Sequence, residues 1–374
     1  MFLTIIVFLV MLSLLVFVHE FGHFWTARKL GVKAEEFGFG FPPRFWGIYK
    51  TKDNRWKQIW GNKEITDASD TVYSVNCIPL GGFVKIKGEN GDSNDPDSFS
   101  KKSIRSRMAI LSAGVTMNFL LTAVLLSIGF MLGLPQVVDS DISKYAQVSK
   151  QRIQITEVLK DTAASNGGLK IGDIITSING TSFENITDMQ AYVAKNVKKE
   201  LSYSIKRGND NLIFALKPQI LKETKEPGVG VGVSKTGMVS YPFFIAIWHG
   251  FSSAVLLIVS IIIAFFNLFK GLLLGSGVSA SVAGPVGIAS LTGDMARLGF
   301  VYILQFTALL SANLAVVNFL PIPALDGGRV LFLLIEKIKG SPVKRELEAT
   351  IHYVGFALLM ILVVLVTFRD IANF

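Results

Sequence analysis

The chain has 374 residues, a mean hydropathy of +0.47 and only 17% charged residues, against roughly 25% in typical soluble proteins. This composition argues against a soluble protein and predicts that much of the surface faces lipid. The net charge of +9 does not indicate nucleic-acid binding, because the basic residues are scattered and flank apolar runs, as cations at a membrane interface do. The single cysteine, Cys77, excludes an internal disulfide framework and a cysteine-rich metal site.

The N-terminal segment, residues 1–27, is predicted to be a first transmembrane helix, since residues 2–18 are almost wholly apolar. A secretory signal peptide would carry a basic segment before such a run, and no Lys or Arg precedes Arg28. Lys29 and Lys33 follow Arg28, so the positive-inside rule places the chain after this helix in the cytoplasm.

The middle of the chain alternates between polar and apolar segments. Residues 28–107 are predicted to be cytoplasmic, and within them Tyr73 to Lys87 reads as strands interrupted by Pro79 and two glycines. Residues 108–134 are predicted to be a second transmembrane helix, which leads outward because basic residues precede it. Residues 150–220 read as a soluble domain that resembles a bacterial PDZ domain, most specifically in the segment GLKIGDIITSING, and that would be extracytoplasmic.

The last third of the chain is apolar again. Residues 300–328 are predicted to contain a third transmembrane helix, and residues 349–369 a fourth. The segment 241–299 is less regular and is predicted to hold a membrane-associated helix and a Gly-rich loop. Its residues 243–274 are apolar enough to span, but polar side chains interrupt them.

His19 and His23 enclose Glu20 in an HExxH motif. Residues four apart share one face of a helix, so both imidazoles can reach one ion. Two histidines and a carboxylate suit Zn²⁺ with a fourth position left for water, and Glu20 can take the proton of that water as general base. The motif closes an apolar span, where ionisable groups are costly and usually functional. The alternative is a set of interfacial polar residues that merely ends the helix.

A third protein ligand must come from elsewhere in the chain. Asp326 is the best candidate, because it closely follows the apolar run that ends at Leu320, and Glu336 is the rival carboxylate. Asp326 could instead be a turn residue before Gly327, which is a common use of an Asp-Gly pair.

These motifs together resemble the site-2 protease family of intramembrane zinc metalloproteases, of the bacterial regulator-of-sigma-E type. The matching segments cover nearly the whole chain: HEFGH (19–23), PLGGFVKIKGE (79–89), SAGVTMNF (112–119), SVAGPVGIAS (281–290) and SANLAVVNFLPIPALDGG (311–328). Two departures stand out. The chain has room for one PDZ domain where the best-studied enterobacterial type has two, and Val115 replaces a proline that is usual in the second span.

The resemblance implies the roles of the site residues and the fold class. His19, His23 and Asp326 would be the zinc ligands and Glu20 the catalytic base. The positions linked to substrate handling and site shape are Asn313, Asn318, Pro321 and Pro323. The fold would be an α-helical polytopic membrane protein with four transmembrane helices, a three-helix catalytic core, a membrane re-entrant β-loop and an inserted extracytoplasmic α+β PDZ domain. Because His19 and Asp326 must meet on the cytoplasmic side, residues 243–274 would be a membrane-hugging or re-entrant helix on the outer side.

The implied function is regulated intramembrane proteolysis in the bacterial cytoplasmic (inner) membrane. The substrates would be single-span membrane proteins such as anti-sigma factors or signal-peptide remnants. The β-segment would capture an unwound substrate by strand addition, and the PDZ domain would bind peptides or chain ends. Membrane lipid is the other expected partner. Two further classes are a PDZ-bearing scaffold with a vestigial metal site and a metal or ion transporter. Glu20 argues against both, because neither needs a general base.

Overall fold

The structure, a computed structural model, describes residues 2–89, 91, 95–138, 144–208, 210–221, 225–274 and 283–372. The chain forms two compact units. The helical unit comprises Met1–Ser127 and His249–Phe374, and the PDZ-like unit comprises Ile128–Trp248.

The described residues contain nine α-helices and eleven β-strands. The helices are α1 (Phe2–Lys29), α2 (Ile104–Leu132), α3 (Ala163–Gly167), α4 (Ile186–Lys195), α5 (Phe243–Leu273), α6 (Pro285–Leu298), α7 (Phe300–Phe319), α8 (Asp326–Lys339) and α9 (Arg345–Ala372). The strands are β1 (Ala34–Lys50), β2 (Trp56–Trp60), β3 (Val72–Ile86), β4 (Leu134–Val137), β5 (Gln147–Val158), β6 (Ile174–Ile178), β7 (Leu201–Arg207), β8 (Asp210–Leu216), β9 (Gln219–Ile220), β10 (Pro227–Gly228) and β11 (Val231–Ser240).

Five helices of the described chain are long and apolar enough to cross a membrane, and they lie in α1, α2, α5, α7 and α9. The protein is therefore a polytopic membrane protein. Helices α2 and α7 run antiparallel in contact, because the Thr122 hydroxyl donates to the Ala308 carbonyl and the Ser311 hydroxyl donates to the Asn118 carbonyl. The bond between the helices satisfies the Ser311 hydroxyl in an apolar environment, whereas the Thr122 hydroxyl also donates to the Asn118 carbonyl of its own helix at 2.9 Å.

The sequence predicts a membrane-hugging or re-entrant helix at residues 243–274, and that disposition stays a prediction, whereas helix α5 by its length and composition is a candidate span. It is one unbroken helix of 31 residues. A Cβ at Gly250 would clash with Ser127 near the end of α2, whereas Ile261 packs against Ala312 and Val316 near the end of α7. Because α2 and α7 are antiparallel, the C-terminal end of α2 and the C-terminal end of α7 lie at opposite ends of the helix pair. Helix α5 contacts both, so it runs along the length of this pair. The structure thus adds a fifth candidate span, and the number of crossings stays a prediction. The Gly-rich segment SVAGPVGIAS (281–290) is not the expected loop over most of its length: residues 281 and 282 lie outside the described residues, and the segment enters α6 at Pro285.

A small sheet in the order β2-β1-β3 belongs to the helical unit. The chain of β3 is continuous from Val72 to Ile86, although the sequence predicts separate strands around Pro79. It lies against α1: the Ser13 hydroxyl donates to the Pro79 carbonyl at 2.8 Å and accepts the Gly81 N–H at 3.2 Å. Gly81 has φ +79° and a Cβ there would clash with Val16, so only glycine fits this close approach. The backbone of β3 therefore lies beside the middle of α1.

The PDZ-like unit is built on a six-stranded sheet in the order β4-β11-β5-β6-β7-β8. Strands β5 and β7 and helix α4 lie within the segment 150–220 that the sequence predicts to be a PDZ-like domain, except that β5 begins at Gln147. The folded unit is wider than the predicted segment 150–220. Strand β11 pairs with β5, and β4 pairs with β11, so both complete the sheet from outside that segment.

Asp173 explains part of the GLKIGDIITSING segment. Its buried carboxylate accepts the Lys170 N–H at 2.9 Å and two hydrogen bonds of 2.7 Å from the Arg207 guanidinium. Burial alone would raise the pKa of Asp173, but the Arg207 guanidinium and the Lys170 amide lower it below its ordinary value of 3.8. The carboxylate therefore joins the turn before β6 to strand β7.

Replacing Asp173 with asparagine is expected to destabilise the PDZ-like unit by about 2 kcal/mol at pH 7, since charged hydrogen bonds contribute about 1.5–3 kcal/mol. The folded pKa is depressed, so the stabilisation is full above the unfolded pKa and is lost as pH falls through the folded value. The difference from wild type should shrink below about pH 4. Hydrogen exchange of β6 and β7 measures it, with the exposed Asp188→Asn as control. Equal exchange in both variants at pH 7 would contradict the assignment.

Candidate active site

The centre of the helical unit is a cluster of two histidines and one aspartate. His19 and His23 are both 6% exposed, and their Nε2 atoms lie 3.2 Å apart. This geometry follows from the helical spacing of four residues on α1. The Asp326 Oδ2 atom lies 3.0 Å from His19 Nε2 and 3.4 Å from His23 Nε2. The fold thus joins residues that are about 300 positions apart in sequence.

Asp326 reaches this place because it is the first residue of α8 and follows a tight turn after α7. Gly327 and Gly328 make the turn possible, since a Cβ on either would clash with the carbonyl of Leu320 or Ile322. Asp326 and Gly327 are thus the first residues of α8, and the turn precedes them. The role of Asp326 as a metal ligand stays a prediction.

Each histidine is oriented through its other ring nitrogen. His23 Nδ1 lies 2.8 Å from the Ile110 carbonyl, which can only accept, so Nδ1 carries the proton. His19 Nδ1 lies 3.2 Å from the side-chain amide nitrogen of Asn118, whose oxygen is buried without a partner. If the amide oxygen and nitrogen of Asn118 are exchanged, the oxygen accepts a hydrogen bond from the Nδ1–H of His19 and is no longer a buried atom without a partner. Both Nε2 atoms are then free to present lone pairs to one point.

The cluster fits a zinc ion by its own chemistry. Three acceptor atoms at 3.0–3.4 Å would repel one another unless a cation lies between them. Tetrahedral zinc with bonds near 2.05 Å separates its ligand atoms by about 3.3 Å. Asp326 Oδ2 is buried and accepts no well-aligned hydrogen bond, as a carboxylate oxygen reserved for a metal would be. Within the described residues these three side chains form a group able to hold a metal ion.

Helix α2 comes very close to the cluster at Gly114. A Cβ there would clash with the imidazoles of His19 and His23. Gly114 and Asn118 are one turn apart on α2, so the Gly-x-x-x-Asn spacing in SAGVTMNF places them on the same face. Gly114 leaves room for the two imidazoles, and the Asn118 amide orients His19. The sequence carried this signal, but neither residue received a role from sequence reasoning.

Glu20 lies next to the cluster on α1. Its Oε2 accepts the Val84 N–H of β3 at 3.2 Å. It is also close enough to His19, His23 and Asp326 to interact with their charges. The carboxylate is thus fixed between the metal-binding group and the backbone of β3, a contact that the sequence did not indicate.

The other predicted site residues are divided by the structure. The amide nitrogen of Asn318 lies 3.4 Å from His19 Nε2, so Asn318 is at the cluster. The amide of Asn313 donates to the Leu309 carbonyl of its own helix. Pro323 packs against Gly355 of α9, and Pro321 lies in the turn before α8. The rival ligand Glu336 is engaged elsewhere, in a short ion pair with Arg107.

A zinc-binding HExxH group among apolar helices defines a class, the membrane-embedded metallopeptidases. Residues 7–362 match the family model of peptidase family M50, and the chain belongs to this family. It is 30% identical to the "Regulator of sigma-W protease RasP" of Bacillus subtilis, with 98% of both chains covered. It is also 30% identical to the "Zinc metalloprotease RasP" of Bacillus licheniformis, again over 98% of each chain.

Among solved structures, the PDZ domain of the SdrC-like protein of Listeria innocua is 28% identical over 22% of this chain and 92% of its own, with a TM-score of 0.21. The protein is a multi-pass membrane zinc metalloprotease. The scaffold and transporter alternatives are thereby set aside.

Proposed function

We propose that the protein cleaves single-span membrane proteins within or near their transmembrane segments, using zinc held by His19, His23 and Asp326. The observation that carries this proposal is the convergence of the three ligand atoms within 4.8 Å, inside a group of candidate spans. Bound zinc supplies Lewis-acid activation of water near neutral pH. Asn118 and the Ile110 carbonyl would bind the other ring nitrogens and keep both imidazoles in the tautomer that ligation needs.

In this proposal Glu20 is the general base. Its carboxylate takes the proton of the attacking water and passes it to the leaving amine. The Val84 N–H holds one carboxylate oxygen, which orients the other toward the reaction. Asn318 lies at the cluster from the opposite helix and would hold the substrate carbonyl near His19. Asn313, Pro321 and Pro323 would shape the path of the substrate after α7.

A transmembrane helix must unwind before it can be cut, because its amides are already bonded. We propose that β3 receives the unwound segment by strand addition, since its backbone at Pro79 to Val84 runs beside α1 up to Glu20. Cys77 is exposed in β3 and reports on this step. A substrate with one cysteine near the scissile bond should form a disulfide with Cys77, and absence of crosslinking along the whole segment would refute the path.

The proposed location is the bacterial cytoplasmic membrane, with the zinc site near the cytoplasmic face and the PDZ-like unit outside. The Bacillus subtilis relative is named a regulator of sigma-W protease, and this name supports anti-sigma factors as substrates. Signal-peptide remnants are a second proposed group of substrates. The PDZ-like unit would bind chain ends and admit trimmed substrates. Cysteine labelling of its surface from the cytoplasm alone would overturn this orientation.

Removal of the metal tests the function directly. The purified protein in detergent is expected to contain one zinc per chain and to cut a single-span substrate. Incubation with a chelator should abolish cleavage, and added Zn²⁺ should restore it. A chain that cuts equally well after complete removal of zinc, or that never binds zinc, would refute the proposed mechanism.

A further inference from the structure

The turn between α7 and α8 has an unusual backbone conformation. Ala324 lies in it with φ +76°, the left-handed region that residues with a Cβ rarely occupy. Ala324 is two residues before Asp326, so the conformation of this turn decides where the carboxylate points. Such a conformation persists only where its surroundings hold it.

Helix α9 supplies the contacts that hold the turn. The Ala324 N–H donates to Nδ1 of His352 at 2.8 Å. Gly355, three residues further along α9, leaves room for Pro323, because a Cβ there would clash with the proline ring and carbonyl. Two neighbouring residues of the turn are therefore fixed by one face of α9.

His352 is the polar member of this face. Most apolar side chains of α9 are exposed, as those of a lipid-facing helix are, whereas the side chain of His352 is only 19% exposed. Its ring packs against Phe332 of α8, with centroids 5.5 Å apart. The imidazole thus touches both the turn and the helix that carries Asp326, and its Nδ1 must be unprotonated to accept the amide hydrogen.

We propose that His352 is a positioning residue for the zinc ligand Asp326. It accepts the Ala324 N–H and so keeps the turn in the left-handed conformation from which α8 starts with its carboxylate 3.0 Å from His19 Nε2. This inference rests on the proposed zinc function. It assigns to α9, which contributes none of the three ligands, a direct part in the preorganisation of the metal site.

The test compares two substitutions of nearly equal size in the full-length protein. His352→Asn retains an oxygen close to the position of Nδ1, whereas His352→Leu retains the bulk without an acceptor. Leu358→Ala, at an exposed position of α9, is the matched control. Zinc affinity is measured by competition with a chromophoric chelator, and the visible spectrum of the Co²⁺-loaded protein reports the ligand geometry. Neither readout depends on proteolysis.

The leucine variant is expected to bind zinc about 10–100-fold more weakly and to show an altered Co²⁺ spectrum, the size of effect known for groups that orient metal ligands. The asparagine variant and Leu358→Ala should stay within about threefold of wild type. Equal zinc affinity in the leucine variant and wild type would overturn the inference. Equal losses in the leucine and asparagine variants would also overturn it, because packing rather than the acceptor would then matter.

Two further outcomes are distinguishable. Should His352→Leu not yield folded protein, His352→Phe takes its place, since it keeps an aromatic ring against Phe332 without an acceptor for the Ala324 N–H. Weaker zinc binding by this variant than by His352→Asn supports the inference, and equal binding overturns it. Absence of zinc binding by the wild type would instead refute the proposed function on which the inference rests.

Discussion

Replacing Glu20 with glutamine is expected to lower the rate of substrate cleavage by about 10²–10⁴-fold while the zinc content stays that of wild type. Glutamine has the size of glutamate and keeps an oxygen that can accept the Val84 N–H, so β3 and α1 stay in contact. It cannot take up the proton of water. The measurements are kcat on a single-span substrate in detergent and zinc per chain by atomic absorption.

Glu35→Gln is the matched control for this variant. Glu35 lies on β1 in an ion pair with Lys85, and both side chains are more than a third exposed. Exposed pairs contribute about 1 kcal/mol or less, so activity and zinc content should both be unchanged. Cleavage by Glu20→Gln within tenfold of wild type would remove Glu20 from the role of base. Loss of zinc from that variant would assign the carboxylate to the metal site instead.

The core of the candidate site could be predicted because its information is local. Two histidines four residues apart on one helix define a metal-binding face without knowledge of the fold. The choice between Asp326 and Glu336 needed more, since both follow the third predicted span. The position of Asp326 directly after the apolar run made it the better candidate, and the family resemblance implied the same residue. In the structure Glu336 is paired with Arg107.

The surroundings of the site could not be predicted, because they depend on which faces of all-apolar helices meet. Helix α2 is hydrophobic on every side, so its pattern does not reveal that Gly114 and Asn118 face the histidines. The bond between His352 and Ala324 likewise joins two segments that no local pattern connects. In lipid, close packing and hydrogen bonds decide helix contacts rather than a hydrophobic stripe.

The differences in α5 and in the PDZ-like unit have a related cause. Strand β11 pairs with β5 73–93 positions earlier in the chain, as Val231 with Val158 and Ser240 with Gln147 show, and a window of consecutive residues cannot detect this pairing. For α5, the expectation comes from the requirement that His19 and Asp326 meet on one side of the membrane. The polar side chains His249, Asn267 and Lys270 interrupt the apolar run, but an α-helix satisfies its own backbone and tolerates isolated polar groups. Packing against α2 and α7 then determines its course.

Replacing Asp326 with alanine is expected to weaken zinc binding by more than about 100-fold, beyond the 10–100-fold that loss of a group orienting a metal ligand costs, and to abolish cleavage. Asp326 is the carboxylate that lies with His19 and His23 in the metal-binding group of the described residues. Without it, two imidazoles on one helix would hold the ion alone, and water would occupy the remaining positions. The measurements are chelator competition and the Co²⁺ spectrum, which should lose its tetrahedral character.

Glu336→Gln separates ligation from the placement of α8, because Glu336 lies on the same helix and pairs with Arg107. Glutamine can still accept a hydrogen bond from the guanidinium, so α8 should stay in place and zinc affinity should stay within a few-fold of wild type. A loss of zinc in Glu336→Gln with binding retained in Asp326→Ala would identify Glu336 as the third ligand. Equal losses in both would mean that the position of α8, rather than one carboxylate, controls the metal site. A large loss of zinc affinity in Asp326→Ala, with affinity retained in Glu336→Gln, is the outcome that agrees with the Asp326 carboxylate oxygen 3.0 Å from His19 Nε2.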